Sequence, residues 1–297
     1  MLDITDIFIE RAEEWTKEGM DDRVEDAIER FDKWSLDLKE EETILLEEFL
    51  KRFKYYSIQR TRSIIKELSE SACNKYKISN QDSLISVVRK VDGKGNSSHK
   101  YWLMHQEVSG LSSDIYYDSL GDIDEALWLN INKIVFVDDC SGTGTQFTKF
   151  LKRQEQIFID RKQSKSLRGK TIILLVVHII EDALVYIDKY AKKNGLDIKV
   201  EYYSSEKKAF CGKKEDVKKL FLMLSQGRSV KYSLGFQEAE ALMAFYNNSP
   251  NDTLGVFWCD SDKNTALFPR EDPPKAGWKM IGNEKKERSK QQYGTKR

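Results

Sequence analysis

The chain predicts an α/β protein: a mostly parallel sheet flanked by helices, with an all-helical extension at the N-terminus. Three observations lead there. Two uninterrupted apolar runs, Ile134 to Val137 and Ile172 to Val177, have the length and branched content of strands buried on both faces. Each is followed by a stretch of helical periodicity, so strand and helix alternate through this part of the chain. Before residue 80 there is no such run, and apolar side chains recur at the spacing of one helix face.

In order along the chain, Asp3 or Thr5 caps a first helix with an apolar face of Ile4, Ile7, Phe8, Ala12 and Trp15, ending near Gly19. A second helix buries Val24, Ala27, Ile28, Phe31 and Trp34, and a third runs through Ile44, Leu45, Phe49 and Phe53. After Tyr55 and Tyr56 a fourth carries Ile58, Ile64, Ile65 and Leu68. These aromatics read as packing residues. From Ser83 the period changes: Leu84 to Val91 is strand-like, the loop Asp92 to Lys100 follows, and Tyr101 to Gln106 reads as a second strand. A Gly/Ser/Lys loop between strands is either a plain exposed hairpin or an anion-binding loop.

The strand ending at Val137 leads to a helix from about Thr145 to Asp160 and a basic linker, Arg161 to Lys170. The strand from Thr171, a helix through Ala183, Val185, Tyr186 and Tyr190, and a strand at Ile198 to Tyr203 complete a βαβαβ series. A helix through Val217, Leu220, Phe221 and Leu224 opens the last third. Tyr232 to Gln237 is next, then a helix to about Tyr246, turn residues Asn247 to Thr253, and a strand Leu254 to Trp258. The organisation expected is an acidic helical region at 1–80, an α/β domain at 81–282, and a basic, disordered tail at 283–297.

The 297 residues provide for one sizeable core plus an appended element, or two small domains. No apolar stretch approaches a membrane span, and no basic-then-apolar signal opens the chain. Cys73, Cys140, Cys211 and Cys259 are far apart, which speaks against a disulfide framework or structural zinc and for a reducing cytoplasm. Three histidines supply little base or metal chemistry. Charges balance at 49 of each sign, yet residues 1–50 hold 18 acidic and 6 basic side chains, a net −12 against +12 for the remainder. A basic body suits a polyanionic ligand, a nucleotide or, more weakly, nucleic acid. The acidic arm is either a solvated helical face or a regulatory element packed on the body or on a partner.

The most informative stretch is Lys133-Ile-Val-Phe-Val-Asp-Asp-Cys-Ser-Gly-Thr-Gly-Thr-Gln146. An apolar strand stops at two carboxylates, Asp138 and Asp139, and a small-residue loop, Ser141, Gly142, Thr143, Gly144 and Thr145, leads into a helix. Loop amides and a helix N-terminus hold an anion, and adjacent carboxylates suit hydroxyls or a hydrated magnesium ion. The plain alternative is that the acids cap the helix and the glycines only turn the chain. Rival motifs fail on spacing. A Walker A loop needs a lysine directly after its last glycine, and none follows Gly144 before Lys149. A dinucleotide fingerprint starting at Gly142 requires glycine where Phe147 stands. Cys140 reads as a small loop residue rather than a nucleophile, because no histidine is near it in sequence.

This stretch resembles the phosphoribosyl-pyrophosphate (PRPP) motif of type I phosphoribosyltransferases: apolar residues, two acids, then a Thr-Gly turn. One departure is that the usual motif ends Thr-Gly-x-Thr, whereas Gln146 occupies the last place. Together with Tyr55-Tyr56-Ser57, Asn248 to Leu254, Phe257-Trp258 and Leu267-Phe-Pro-Arg270, the pattern is similar to the phosphoribosyltransferase-like effector family of prokaryotic conflict and anti-phage defence systems. The resemblance covers most of the chain apart from the tail.

It implies a type I phosphoribosyltransferase-like sheet, PRPP or a related nucleotide as ligand, Mg2+ as cofactor, and a defence-system partner protein. It also implies roles. Ser141 to Thr145, with Gln146, would bind the 5′-phosphate. Asp138 and Asp139 would hold ribose hydroxyls directly or through the water shell of the metal. Arg89 and Lys94, in the early strand and loop, would meet the pyrophosphate. Trp258 would stack on a base or pack in the core, and Arg270 would contact an anion or form a structural ion pair. A non-catalytic PRPP or nucleotide sensor that signals through the helical arm is the alternative to a transferase.

Overall fold

The computed structural model describes residues 3–19, 21–36, 38–88, 97–225, 233–260 and 265–270. Arg89, Lys94 and the tail at 283–297 lie outside the described residues. Three amphipathic helices open the chain: α1 (Ile4–Trp15), α2 (Asp22–Leu36) and α3 (Glu40–Arg52). Asp3 starts α1 by accepting from the amides of Thr5 and Asp6 at 2.9 Å each, while Asp6 faces back in a capping box. Strand β1 (Lys54–Tyr56) and helix α4 (Ile58–Tyr76) follow, with Ser57 as N-cap.

The sheet is built from β2 (Ser83–Val87), β3 (Tyr116–Tyr117), β4 (Lys133–Ser141), β5 (Thr171–Ile180) and β6 (Asp197–Glu206). Its order is β3-β2-β4-β5-β6, every pairing is parallel, and β4 is the central strand. Helices α4 and α5 (Ser97–Val108) cover one face, where Ile64, Ile65 and Tyr101 pack on Val135, Val137 and Ile173. Helices α6 (Glu125–Asn130), α7 (Thr145–Asp160) and α8 (Glu181–Asn194) cover the other, with Phe147, Phe150 and Ile187 against Ile134, Phe136 and Leu174. Central strands buried on both faces are the reason β4 and β5 read as unbroken apolar runs.

A third core lies beside the sheet. It joins α1, α2 and α3 to Phe221 of α9 (Glu215–Ser225), to Val256 and Phe257 of α10 (Gly255–Trp258), and to Phe268. Ring stacking runs through it: Phe8 lies 4.0 Å from Phe31, and Phe53 lies 5.4 Å from Phe268. Strand β7 (Met243–Phe245) pairs in parallel with β1, and this ribbon is the seam between cores. Tyr55 and Ala244 face the arm core, whereas Tyr56, Met243 and Phe245 face the sheet core.

Four sequence expectations change. Tyr101 to Gln106 belongs to α5, not to a strand: Tyr101, Trp102, Met104 and His105 are buried while Leu103 is 41 % exposed, which is helical spacing. The helix expected to reach Tyr246 is instead β7, and the strand expected at Leu254 to Trp258 is the short α10. Both pieces are buried on all sides, so neither carries a period to read. Ile28, Ile44 and Ile58 face solvent at the margins of their helices rather than the core. Among the described residues no helix is long and apolar enough to cross a membrane.

Candidate functional site

Strand β4 carries Asp138 and Asp139 to the carboxyl end of the sheet, 6 % and 9 % exposed. Each carboxylate turns back on the chain: Asp138 Oδ1 accepts from the amide of Asp139 at 3.0 Å, and Asp139 Oδ1 from that of Cys140 at 2.8 Å. The N-cap of α7 is Gly144, with no side-chain cap bond, so the acids do not cap the helix. Burial, and next the charge of Asp139, hold the Asp138 carboxyl well above the usual range. Burial and the same two carboxylates, with Asp252, also push the Cys140 thiol up, which disfavours the thiolate a nucleophile needs.

The loop between the acids and α7 borders a cleft of about 320 Å³. Asp138, Ser141, Gly142, Thr143, Gly144, Thr145 and Gln146 all line it, so the structure brings together most of the stretch singled out in the sequence. Gly144 turns the chain at φ 73°, a conformation that L side chains rarely adopt. Gly142 is required by proximity. Its amide donates to Asp252 Oδ2 at 3.1 Å, and a Cβ there would stand 2.5 Å from the same oxygen. The hydroxyls of Thr143 and Thr145 meet at 2.8 Å, and Thr145 donates on to Gln237 Oε1 at 2.9 Å. Gln237 itself sits at φ 53° in the segment that crosses the loop. Lys149, one turn into α7, is the one basic side chain lining the cleft among the described residues.

Asp139 acts on a different surrounding. Tyr101 is fully buried near it, and its phenol is driven up first by burial and then by the charge of Asp139. Trp258 and Arg270 do not line the cleft. The Trp258 indole donates to the carbonyl of Thr253 at 2.7 Å, and the Arg270 guanidinium lies 5.8 Å from the Trp258 ring centre and donates to the carbonyl of Ser249 at 3.3 Å. Of the two roles open to Trp258, this geometry is that of packing.

Sequence reading missed Asp252, Gln237 and Phe236, which come from the far end of the chain. The signal for Asp252 was an acid inside a turn, Asn-Ser-Pro-Asn-Asp-Thr, between apolar segments.

A family model for PRTase-CE matches residues 25–270, which takes in the arm from α2, the whole sheet and the segment over the loop. The chain belongs to the PRTase-CE family, the phosphoribosyltransferase conflict effectors. No curated protein matches it. The parallel five-stranded sheet with its N-terminal helices is consistent with a phosphoribosyltransferase fold, as the sequence resemblance led one to expect.

Among the described residues no group of three or more His, Cys, Asp or Glu side chains forms a ready cage for a metal. Asp138, the one of the two carboxylates that lines the cleft, fits a Mg2+ ion that keeps most of its waters and takes further oxygens from a phosphorylated ligand.

Proposed function

We propose that this PRTase-CE protein binds PRPP, or a related ribose phosphate or nucleotide, together with Mg2+ in the Asp138–Thr145 cleft. One observation carries the reading: the Gly142 amide already holds an anionic oxygen, that of Asp252, at the carboxyl end of the central strand. A 5′-phosphate takes the place of that carboxylate, accepting from loop amides, the Thr143 and Thr145 hydroxyls and Lys149. Asp138 and Asp139 hold the ribose hydroxyls, directly or through metal-bound water. When bound, Mg2+ supplies positive charge against the pyrophosphate. The carboxylates stabilise positive charge developing at the anomeric carbon, and the loop fixes the sugar's position.

Calorimetric titration with Mg-PRPP tests the reading. Binding is expected to be lost in the double variant Asp138→Asn, Asp139→Asn. Equal affinity in both proteins would overturn it. Pyrophosphate release with nucleobase acceptors then decides between transferase and sensor.

The sensor reading keeps support from Asp252 and Gln237. Both present acceptor oxygens to the loop, so a ligand displaces them and moves the segment that bears them. In that reading the moved segment signals to a partner protein, and Asp252→Ala tightens phosphate binding by removing the competing charge.

A further inference from the structure

We infer a second ligand site, for a phosphate-bearing nucleotide, in the cleft where the N-terminal arm meets the sheet. This cleft measures about 890 Å³ and shares no lining residue with the Asp138–Thr145 cleft. Its size lies within the range of small-molecule sites. Its walls come from α1 and α3 on one side and from β1, the start of α4 and the outer strand β6 on the other.

Six basic and three acidic side chains line it, an excess that favours an anion. The charges are not all spent within the protein. Among the described residues neither Lys51 nor Lys54 has a carboxylate partner, and Lys54 Nζ rests on the hydroxyl of Ser204 at 2.5 Å. Arg60 meets Glu18 at 3.4 Å and donates to the hydroxyl of Tyr203. Lys51, Lys54 and Arg60 therefore supply a phosphate subsite. A ring stands beside it: Tyr203 is 37 % exposed, and the Arg60 guanidinium lies 5.0 Å from its centre. The exposed part of that ring offers a base a surface to stack on. Trp15, 5 % exposed in the same wall, has a buried indole N–H with no acceptor among the described residues.

The floor is fixed. Tyr56 bonds to His178 Nδ1 at 2.9 Å, and Glu206 lies 3.2 Å from His178 Nε2 and accepts from the amide of Leu242 at 2.9 Å. The acids Glu14 and Glu18 among the lining residues oppose a long polyanion, so a mononucleotide or dinucleotide suits the cleft better than a nucleic-acid strand. Because the two walls belong to the arm and the sheet, occupancy clamps one to the other.

The test uses the full chain carrying Thr143→Glu, which places a carboxylate in the first cleft and silences it, so failure here is separable from failure of the proposed function. Fluorescent mant-ATP is titrated, with tripolyphosphate and a single-stranded DNA 20-mer as parallel probes. The Thr143→Glu protein should bind mant-ATP. Adding Lys51→Glu and Lys54→Glu should weaken it by about tenfold or more. Tyr203→Ala should weaken mant-ATP several-fold while leaving tripolyphosphate unchanged. If the double reversal unfolds the protein, Lys51→Glu alone, on the exposed side of α3, carries the same direction of effect. No mant-ATP binding, binding indifferent to the lysines, or tighter binding of the 20-mer than of mant-ATP would each overturn the proposal.

Discussion

The sheet core and the arm core are held together by the same kind of force but are assembled in opposite ways. On one face of the sheet, helices pack on strands that neighbour them in sequence, as α7 does on β4 and β5. In the arm, residues up to Phe53 pack on one another and on residues from Ala209 onward, so one core is closed by two distant parts of the chain. The acidic face of the arm also proves secondary. Trp15, Phe53, Phe257 and Phe268 are interleaved rings, whereas the ion pairs to the body, Glu48 with Lys213, Glu18 with Arg60 and Arg30 with Asp260, are partly exposed. Charge asymmetry in a sequence thus locates a region without saying what holds it.

The strongest way to break this comparison is Trp34→Ala. Trp34 is fully buried, donates to the carbonyl of Val256 at 3.0 Å and stacks 5.9 Å from Phe257. The expected cost is about 3–5 kcal/mol in urea unfolding, with the whole transition shifting because β1 and β7 are common to both cores. A second transition splitting off would make the arm an independent unit.

The next effect belongs to the sheet alone. His105 of α5 is buried against the Tyr116 hydroxyl at 2.8 Å, and burial lowers its pKa from 6.5 to about 4. The unfolded chain therefore binds the proton more readily, and stability falls as the pH drops from about 6.5 towards 4. The loss across that window is on the order of 3 kcal/mol. His105→Gln should remove that slope, as read by melting temperature against pH.

A smaller effect distinguishes the site from both cores. Asp138→Asn with Asp139→Asn relieves a buried like-charge pair and should leave stability unchanged or raise it by about 1 kcal/mol, while ligand binding disappears. A large fall in melting temperature would mean that the acids hold the fold. The smallest effect is that of salt. Each arm–body ion pair contributes under about 1 kcal/mol, so raising the ionic strength should not release the arm in limited proteolysis.

How much was legible follows the same division. Strands β4 and β5 and helices α7 and α8 declare themselves by local pattern, and with them the acids and the small-residue loop. Helix α5 was misread because Tyr101 and Trp102 favour strands in short windows, while the buried spacing that marks a helix needs the neighbouring turn as well. Strand β7 and α10 lie where packing from every side erases periodicity. Asp252 reaches Gly142 from across the chain, a contact that no window of sequence contains.

The parallel pairing of β1 with β7 also sets a timetable. Lys54 to Tyr56 leave the ribosome well before their partners Met243 to Phe245 are made. At roughly 5–20 residues per second, the nascent arm waits on the order of ten seconds or more for the surface that receives it. During that interval Phe8, Phe31 and Trp34 have only the other residues of α1 to α3 for cover, a state open to aggregation and to chaperone capture. A product truncated before β7 therefore lacks the later residues, Phe257 and Phe268 among them, that complete the core around these rings.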